Sequence, residues 1–527
     1  MKTTFQEKNK SKKYKILWSM FFAVIWLGMN VYVISRTPHW SEKYITAFIL
    51  GNLCLFAAAA YMVFIYKAAV KIFVKSDGFE ENQIQKFYQK SLWILGLAAL
   101  IIPFFFIISV PYSVHNWDFF EIFVKTSYLH GRGFSKLPMT EDQLLYFLRY
   151  PNNQFFEIVN NVLFAPFDTT AKIWVETGLS AVLTSISVVS GSFIVKNIAS
   201  EKIALLYNIV AFGFVPFYLY GAEFYTDTAS LPFGIIGFLF MIYTLKAEKW
   251  KMQVIWWILA SLVVFIGYNI KPTVFILMVA VVAFLVWNRK WRKLFIMLPV
   301  AAILFIGVHE GVKVVISSEP AFSQEANNRY NLPLEHWVAM SFAPENKYGG
   351  YYSQVVAYSE SFPNVAAKKK ADIKLFLSNL KKQGVTGVVV QLWRKIKYTW
   401  FNGDLSDFFY TYHHQNPLVF RYFDWTSFAP SQGNITGWLL IKAAQMLYWL
   451  ALVPLMWYEI FLALFKKKGS FWFIPALSMV GLTTFLLIWE ANSRYLYNFA
   501  PIMIMLAVMG LIDFLKRRKK GVFEISE

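Results

Sequence analysis

Glu490-Ala491-Asn492-Ser493-Arg494-Tyr495 opens directly onto an apolar run from Leu496 to Leu515, which ends in Lys516-Arg517-Arg518-Lys519-Lys520. An apolar run of about 20 residues is long enough to cross a hydrocarbon core of about 30 Å as a helix. The cations at its far end mark that end as cytoplasmic under the positive-inside rule. The acid and the arginine at its near end then face outward. This order of outer polar segment, apolar crossing and inner basic cluster recurs along the chain. It predicts an all-α polytopic integral membrane protein.

About twelve transmembrane helices fit the pattern, with ten to thirteen compatible with the sequence. They are expected at 15–35, 44–66, 91–111, 172–195, 203–221, 231–245, 253–270, 274–288, 294–310, 437–464, 471–489 and 496–515. Lys10-Ser11-Lys12-Lys13, Lys246 to Lys251, Arg289-Lys290-Trp291-Arg292-Lys293 and Lys466-Lys467-Lys468 join Lys516 to Lys520 on one side. Both termini are therefore expected in the cytoplasm. The run Ile16 to Ile34 is too long for a signal peptide and reads as a retained first helix.

Composition agrees. The 527 residues are 57% hydrophobic and 16% charged, with a mean hydropathy of +0.44. A soluble domain carries about 25% charged residues. The net charge of +20 does not point to nucleic acid, because the cations sit at the cytoplasmic helix ends, where membrane lipids present anionic headgroups. A single cysteine, Cys54, excludes an intramolecular disulfide and a multi-cysteine metal site.

Three units are expected. Residues 1–310 form an N-terminal membrane domain whose extracytoplasmic loop at 112–170 carries the candidate catalytic groups. Residues 311–436 form an extracytoplasmic loop domain, a cap rich in aromatic residues. Residues 437–527 supply the last transmembrane helices and the basic tail. Within the cap, Lys368 to Lys382 alternate lysines with Ile373, Leu375, Phe376 and Leu380, the pattern of an amphipathic helix able to lie on the outer leaflet.

The candidate functional residues all thread to the outer side. Asp118 and Glu121 follow the third helix, and a carboxylate there can act as general base toward an attacking hydroxyl. A plain solvated or capping acid is the alternative, and His115, Asp118 and Glu121 together are a weaker reading as metal ligands. In Tyr225-Thr226-Asp227-Thr228, Asp227 can bind substrate, or Asp227 or Thr228 can cap the next helix. Lys271, in Asn269-Ile270-Lys271-Pro272-Thr273, can snorkel or can meet a lipid phosphate. Glu490 and Arg494 can pair with each other across four residues, or Arg494 can grip phosphate oxygens through its planar fork. No phosphate-binding glycine loop, zinc-protease motif or hydrolase nucleophile elbow occurs. His413-His414 is a bare pair whose side chains diverge. No cytoplasmic loop is large enough to hold a nucleotide-sugar site.

These features resemble the GT-C superfamily of membrane glycosyltransferases, the class of the protein O-mannosyltransferases. Asp118 with Glu121 matches the acid of the first outer loop, and Glu490 with Arg494-Tyr495 matches the segment before the last helix. Within that class the chain is similar to uncharacterised Firmicutes integral membrane proteins that carry Tyr150-Pro151-Asn152-Asn153, Tyr225 to Thr228, Lys271-Pro272-Thr273 and His336-Trp337. The resemblance implies a multi-pass enzyme of the cell membrane with an extracytoplasmic active site. It would move a sugar from a polyprenyl-phosphate donor to a cell-envelope acceptor: a cell-wall polymer, a teichoic acid or a surface protein. Asp118, or Glu121, would be the catalytic base of an inverting displacement. Lys271, Arg494, Asp227, Glu490, Tyr150, Asn152, Asn153 and His336 would bind the lipid-linked donor or the acceptor, and no metal or cofactor is required. The alternative class is a transporter or flippase of a lipid-linked saccharide, for which midplane charges and repeated halves are absent from the sequence.

Overall fold

The computed structural model describes residues 20, 22–36, 42–74, 80–109, 118–134, 141–407, 436–467 and 469–524. Lys10 to Lys13, His115 and His413-His414 lie outside these residues. Helices account for nearly all regular structure, and no strand occurs among the described residues.

The first apolar helices are α1 (Phe22–Arg36), α2 (Glu42–Phe73) and α3 (Glu81–Ser109). Three short helices follow: α4 (Asp118–Leu129), α5 (Glu141–Arg149) and α6 (Gln154–Leu163). The chain then runs through α7 (Thr169–Ile198), α8 (Glu201–Phe212), α9 (Pro216–Tyr220), α10 (Thr226–Lys246), α11 (Trp250–Ile270), α12 (Ile276–Trp287) and α13 (Trp291–Ser317). The cap holds α14 (Gln324–Tyr330), α15 (Leu334–Ser341), α16 (Ser353–Glu360) and α17 (Val365–Trp400). Last come α18 (Thr436–Phe465), α19 (Phe473–Ile488) and α20 (Ala500–Glu524).

Polar residues start these helices where the sequence changes from turn to apolar. Asp168 accepts from the Ala171 amide at 2.8 Å to begin α7, and Asn364 accepts from Ala367 at 2.9 Å to begin α17. Each cap satisfies an amide that has no partner inside the helix.

Eight helices among the described residues are long and apolar enough to span a membrane: α2, α3, α7, α10, α11, α13, α18 and the run Ser493–Arg517 that contains most of α20. Phe22–Arg36, Pro272–Trp287 and Phe473–Ile488 are apolar but shorter. The expected crossing at 203–221 is not one helix. It breaks after Phe212 at Gly213 and resumes at Pro216. The 12 residues of α8 rise only about 18 Å, too short for a hydrocarbon core of about 30 Å. The break leaves carbonyls for side chains to satisfy. Tyr61 of α2 donates to Ile209 O at 2.5 Å, Tyr448 of α18 to Val210 O at 2.7 Å, and Tyr218 to Phe212 O at 2.6 Å. Buried broken backbone survives because protein groups replace the missing helical bonds.

The stretch quoted first becomes the centre of the bundle. Ile502, Met503, Ile504, Met505 and Leu506 are wholly buried, and α20 packs against α8 and α18. At Gly510 the α18 backbone comes so close that an added Cβ would strike the Leu455 carbonyl. Gly510→Ala is therefore expected to cost about 1–3 kcal/mol through overpacking. The measurement is the thermal unfolding midpoint in detergent. Gly307→Ala in α13, whose Cβ would meet nothing within 4 Å, should leave the midpoint unchanged or slightly higher.

Candidate functional site

Four helix ends converge at one end of the bundle: the starts of α4 and α10, the end of α11, and the segment leading into α20. The opposite ends of α10 and α20 carry Lys246 and Lys516, so the charged cluster and the basic ends lie a helix length apart. Thr228 stabilises the start of α10 by accepting from the Tyr225 amide at 3.0 Å and donating to Glu223 O at 2.5 Å. The capping role thus falls to Thr228. Asp227 is left to point inward with 1% of its side chain exposed.

Asp227 sits between two cations. Its Oδ1 takes the Lys271 ammonium, and its Oδ2 lies 3.5 Å from Arg494 Nε. Lys271 follows the last residue of α11, and Pro272 prevents that helix from continuing. Arg494 stands in the Ser493–Phe499 3₁₀ turn, whose start is fixed by the Arg494 amide donating to Asn492 Oδ1 at 3.0 Å. Arg494 also reaches Asp118, with Nη2 3.5 Å from Oδ2. Asp118 receives the Tyr225 hydroxyl at 3.0 Å and keeps 40% of its side chain exposed. Two carboxylates thus balance two cations, with Asp118 at the open edge and Asp227 at the back.

Glu490 and Arg494 do not take the mutual pairing their spacing allows. Glu490 accepts the Tyr495 hydroxyl at 3.1 Å, while the Arg494 guanidinium turns to Asp118 and Asp227. The Lys271 ammonium lies 4.9 Å from the Tyr495 ring centroid, and Arg494 lies 5.2 Å from that of Tyr225. Burial, with the charge of Asp118, pushes the Glu490 carboxyl up to about 7. Burial pulls the Lys271 ammonium down against the hold of Asp227. Burial and Asp118 together push the Tyr146 and Tyr225 hydroxyls well above the usual tyrosine range, so both remain donors.

The remaining sequence candidates spread outward from this centre. Glu121 lies one helical turn along α4 and faces Lys125 at 3.8 Å, so the pair Asp118 and Glu121 is divided between two environments. Asn152 donates to Asn153 at 3.0 Å, and Asn153 donates to the Tyr146 hydroxyl at 2.7 Å. The Tyr150 ring lies 5.6 Å from Trp337, which itself stacks on Trp489 at 5.9 Å. His336 is wholly buried inside the cap, its Nδ1 2.8 Å from Ser359 Oγ, and Ser359 donates to Asp372 at 2.7 Å. It joins cap helices rather than facing the charged cluster. Burial lowers its pKa to about 4, so it is neutral.

Three supports had no signal in the sequence: Tyr146, Lys172 and Lys395. Tyr146 was an ordinary aromatic until the fold set it near Asp118, and Tyr225, quoted only as part of its motif, donates its hydroxyl to Asp118. Lys172, buried in α7, donates to Phe123 O at 2.6 Å and Ser127 Oγ at 3.0 Å, tying down the helix that Asp118 begins. Lys395, buried in α17, donates to Trp489 O at 2.6 Å, and Ser341 donates to Ile488 O at 3.1 Å. These are unsatisfied carbonyls at the end of α19, so the cap itself fixes the loop that holds Glu490. Ala491 N completes the seam by donating to Gly349 O at 2.8 Å.

Among the described residues no group of three His, Cys, Asp or Glu side chains is arranged to hold a metal ion. His115, of the His115, Asp118, Glu121 reading, lies outside the described residues.

No curated protein matches the chain. Among solved structures it is similar to the archaeal oligosaccharyltransferase AglB from Archaeoglobus fulgidus, solved in complex with an inhibitory peptide and a dolichol-phosphate. The TM-score is 0.38 and the identity 11%, over 84% of this chain and 52% of that one, so the chain spans about half that protein's length. A family model described as "Conserved hypothetical integral membrane protein" matches residues 7–513. With nearly the whole chain matched, the protein belongs to this family of conserved hypothetical integral membrane proteins.

Proposed function

We propose that the protein is a GT-C-type glycosyltransferase. It moves a sugar from a polyprenyl-phosphate donor to an acceptor outside the cytoplasm, such as a cell-wall polymer, a teichoic acid or a surface protein. The observation that carries the reading is the cluster itself. A half-open carboxylate, Asp118, stands in front of two cations, Lys271 and Arg494, at the end of the helix bundle away from its basic ends.

In this reading the acceptor oxygen attacks the anomeric carbon while Asp118 takes the hydroxyl proton. The bond from the anomeric carbon to the phosphate oxygen breaks, and its electron pair leaves with the phosphate. Configuration at that carbon inverts. Lys271 and Arg494 stabilise the departing phosphate, which gains charge as the bond breaks. Asp227 keeps both cations charged in a buried setting and fixes their directions. The Tyr225 hydroxyl and Arg494 orient the Asp118 carboxylate, leaving one side of it for the acceptor.

Purified protein supplied with labelled polyprenyl-phosphate sugars tests the reading. Sugar transfer in detergent, where no compartments exist, supports an enzyme over a flippase. Inactivity with all such donors alongside activity with a nucleotide sugar overturns it. Asp118→Asn retains the shape and removes the basicity, so turnover should fall by about 10²–10⁴ while donor binding persists. Lys271→Met and Arg494→Met should instead weaken donor binding and turnover together, because each contact exists in the ground state as well as the transition state.

The buried acids also set stability. Asp227→Ala leaves two cations facing each other and should cost about 3–5 kcal/mol, measured by thermal unfolding in detergent. Glu490 holds its proton in the folded state up to about pH 7, above the ordinary glutamate value of about 4.3. Between those values the folded protein binds more protons than the unfolded, so this group lowers stability as pH rises through the window. Glu490→Gln should therefore match the wild-type unfolding midpoint below about pH 4.3 and exceed it increasingly up to about pH 7.

A further inference from the structure

Helix α17 is inside out. In its second half, after Gly384, the residues turned into the protein are Gln391, Lys395 and Thr399, four apart and all buried. Gln391 donates to Ser341 O and Asn346 O, both at 2.9 Å, and Lys395 donates to Ser341 Oγ and Trp489 O. The residues turned outward are Val385, Val389 and Trp393, also four apart, with 83%, 60% and 56% of their surface exposed. Val390 and Phe401 extend the same apolar surface. A helix bordered by water shows the reverse arrangement, apolar inward and polar outward.

The first half of α17 is mixed. It buries Lys368, Asp372 and Asn379 and exposes Ile373 and Leu377, but its exposed positions also include Lys369, Lys370, Lys374, Lys381 and Lys382. The border between the two halves is Gly384, whose φ of +60° and ψ of −176° interrupt the helix. A side chain there would be strained, so glycine permits the bend.

The end of α17 is anchored at a definable depth. Trp400 packs 6.3 Å from Trp449 and 5.7 Å from Trp457, and Trp449 Nε1 donates to Trp400 O at 2.6 Å. Both partners belong to α18, whose apolar run Leu439–Phe465 is long enough to span. Trp449 lies about 25 Å along α18 from Lys466, against a hydrocarbon core of about 30 Å. Trp457 lies about 14 Å from Lys466 on the same measure, so Trp400, packed between the two tryptophans, sits within the half of the hydrocarbon core on the side of the charged cluster.

We propose that residues 385–401 of α17 lie in the membrane interface on that side, with the Val385, Val389, Trp393 stripe immersed among lipid acyl chains and the lysines of residues 369–382 meeting anionic headgroups. The occupant of the stripe is the lipid bilayer. The reversed polarity supplies the apolar contact, the lysine band supplies charge complementarity, and Trp400 supplies the depth. Trp393 suits this level, where an amphipathic ring is favoured, and Lys397 at its edge can extend its ammonium toward the headgroups. Contact with the acyl chains thus belongs to the second half of the helix, and contact with the headgroups to the lysine-rich segment that the sequence pattern marked. It does not depend on the reaction proposed above.

Single cysteines introduced into the full chain carrying Cys54→Ser, reconstituted in nanodiscs containing anionic phospholipid, test the placement. With a membrane-impermeant maleimide, Val385→Cys and Val389→Cys should react at least about tenfold more slowly than Lys374→Cys and Lys381→Cys, equivalent to about 1.4 kcal/mol of protection. A fluorophore at Val389→Cys should be quenched by lipids brominated near the headgroup end of the acyl chain, and one at Lys374→Cys should not. Unchanged unfolding midpoints would establish that the variants fold. Labelling of Val389→Cys as fast as Lys374→Cys overturns the proposal by placing the stripe in water. Protection from both reagent and quencher also overturns it, by showing that protein covers the stripe.

Discussion

A carboxylate buried beneath two cations holds this end of the molecule together. Asp227 alone in an apolar bundle would be costly, and so would Lys271 or Arg494. Each becomes tolerable only with the others in place. Because the three come from α10, the end of α11 and the turn before α20, their pairing fixes those three helix ends at once. Asn498 adds to the lock by donating to Asp227 O at 3.0 Å and Ser230 Oγ at 2.6 Å. The half-exposed Asp118 is presented against this buried charge arrangement.

The same logic of satisfying polar groups governs the backbone. Where α8 breaks, tyrosines from α2, α9 and α18 take the released carbonyls. Where α19 ends, Ser341 and Lys395 of the cap take Ile488 O and Trp489 O. The second seam lies one residue from Glu490. The cap is thereby bonded to the site loop, and its large insertion has a structural reason as well as any role toward substrate.

The helical membrane character, the basic ends of α10 and α20 and the common end shared by Asp118, Asp227, Lys271 and Arg494 were legible from the chain, because lipid imposes simple rules on charge and hydropathy, whereas the expected spans were shorter than α2, α3 and α13. Other features were not. The apolar run 203–221 has a spanning composition, yet Gly213 and Pro216 divide it. Asp118 and Glu121 stand one turn apart on α4, yet one meets Arg494 and the other Lys125, which their spacing did not show. His336 sat in a suggestive motif and lies buried inside the cap against Ser359, a placement the motif did not show.

By itself the sequence determined that the chain is a helical membrane protein and which charged residues stand at the end of the bundle away from its basic clusters. Those properties follow from hydrophobic length and from the distribution of cations, both of which are local. Only the tertiary structure decided that Asp227 sits between Lys271 and Arg494, that Tyr225 supports Asp118, and that the polar face of α17 turns inward. Those pairings join residues up to several hundred positions apart. Their free energy depends on desolvation and distance, quantities that exist only once the helices have packed.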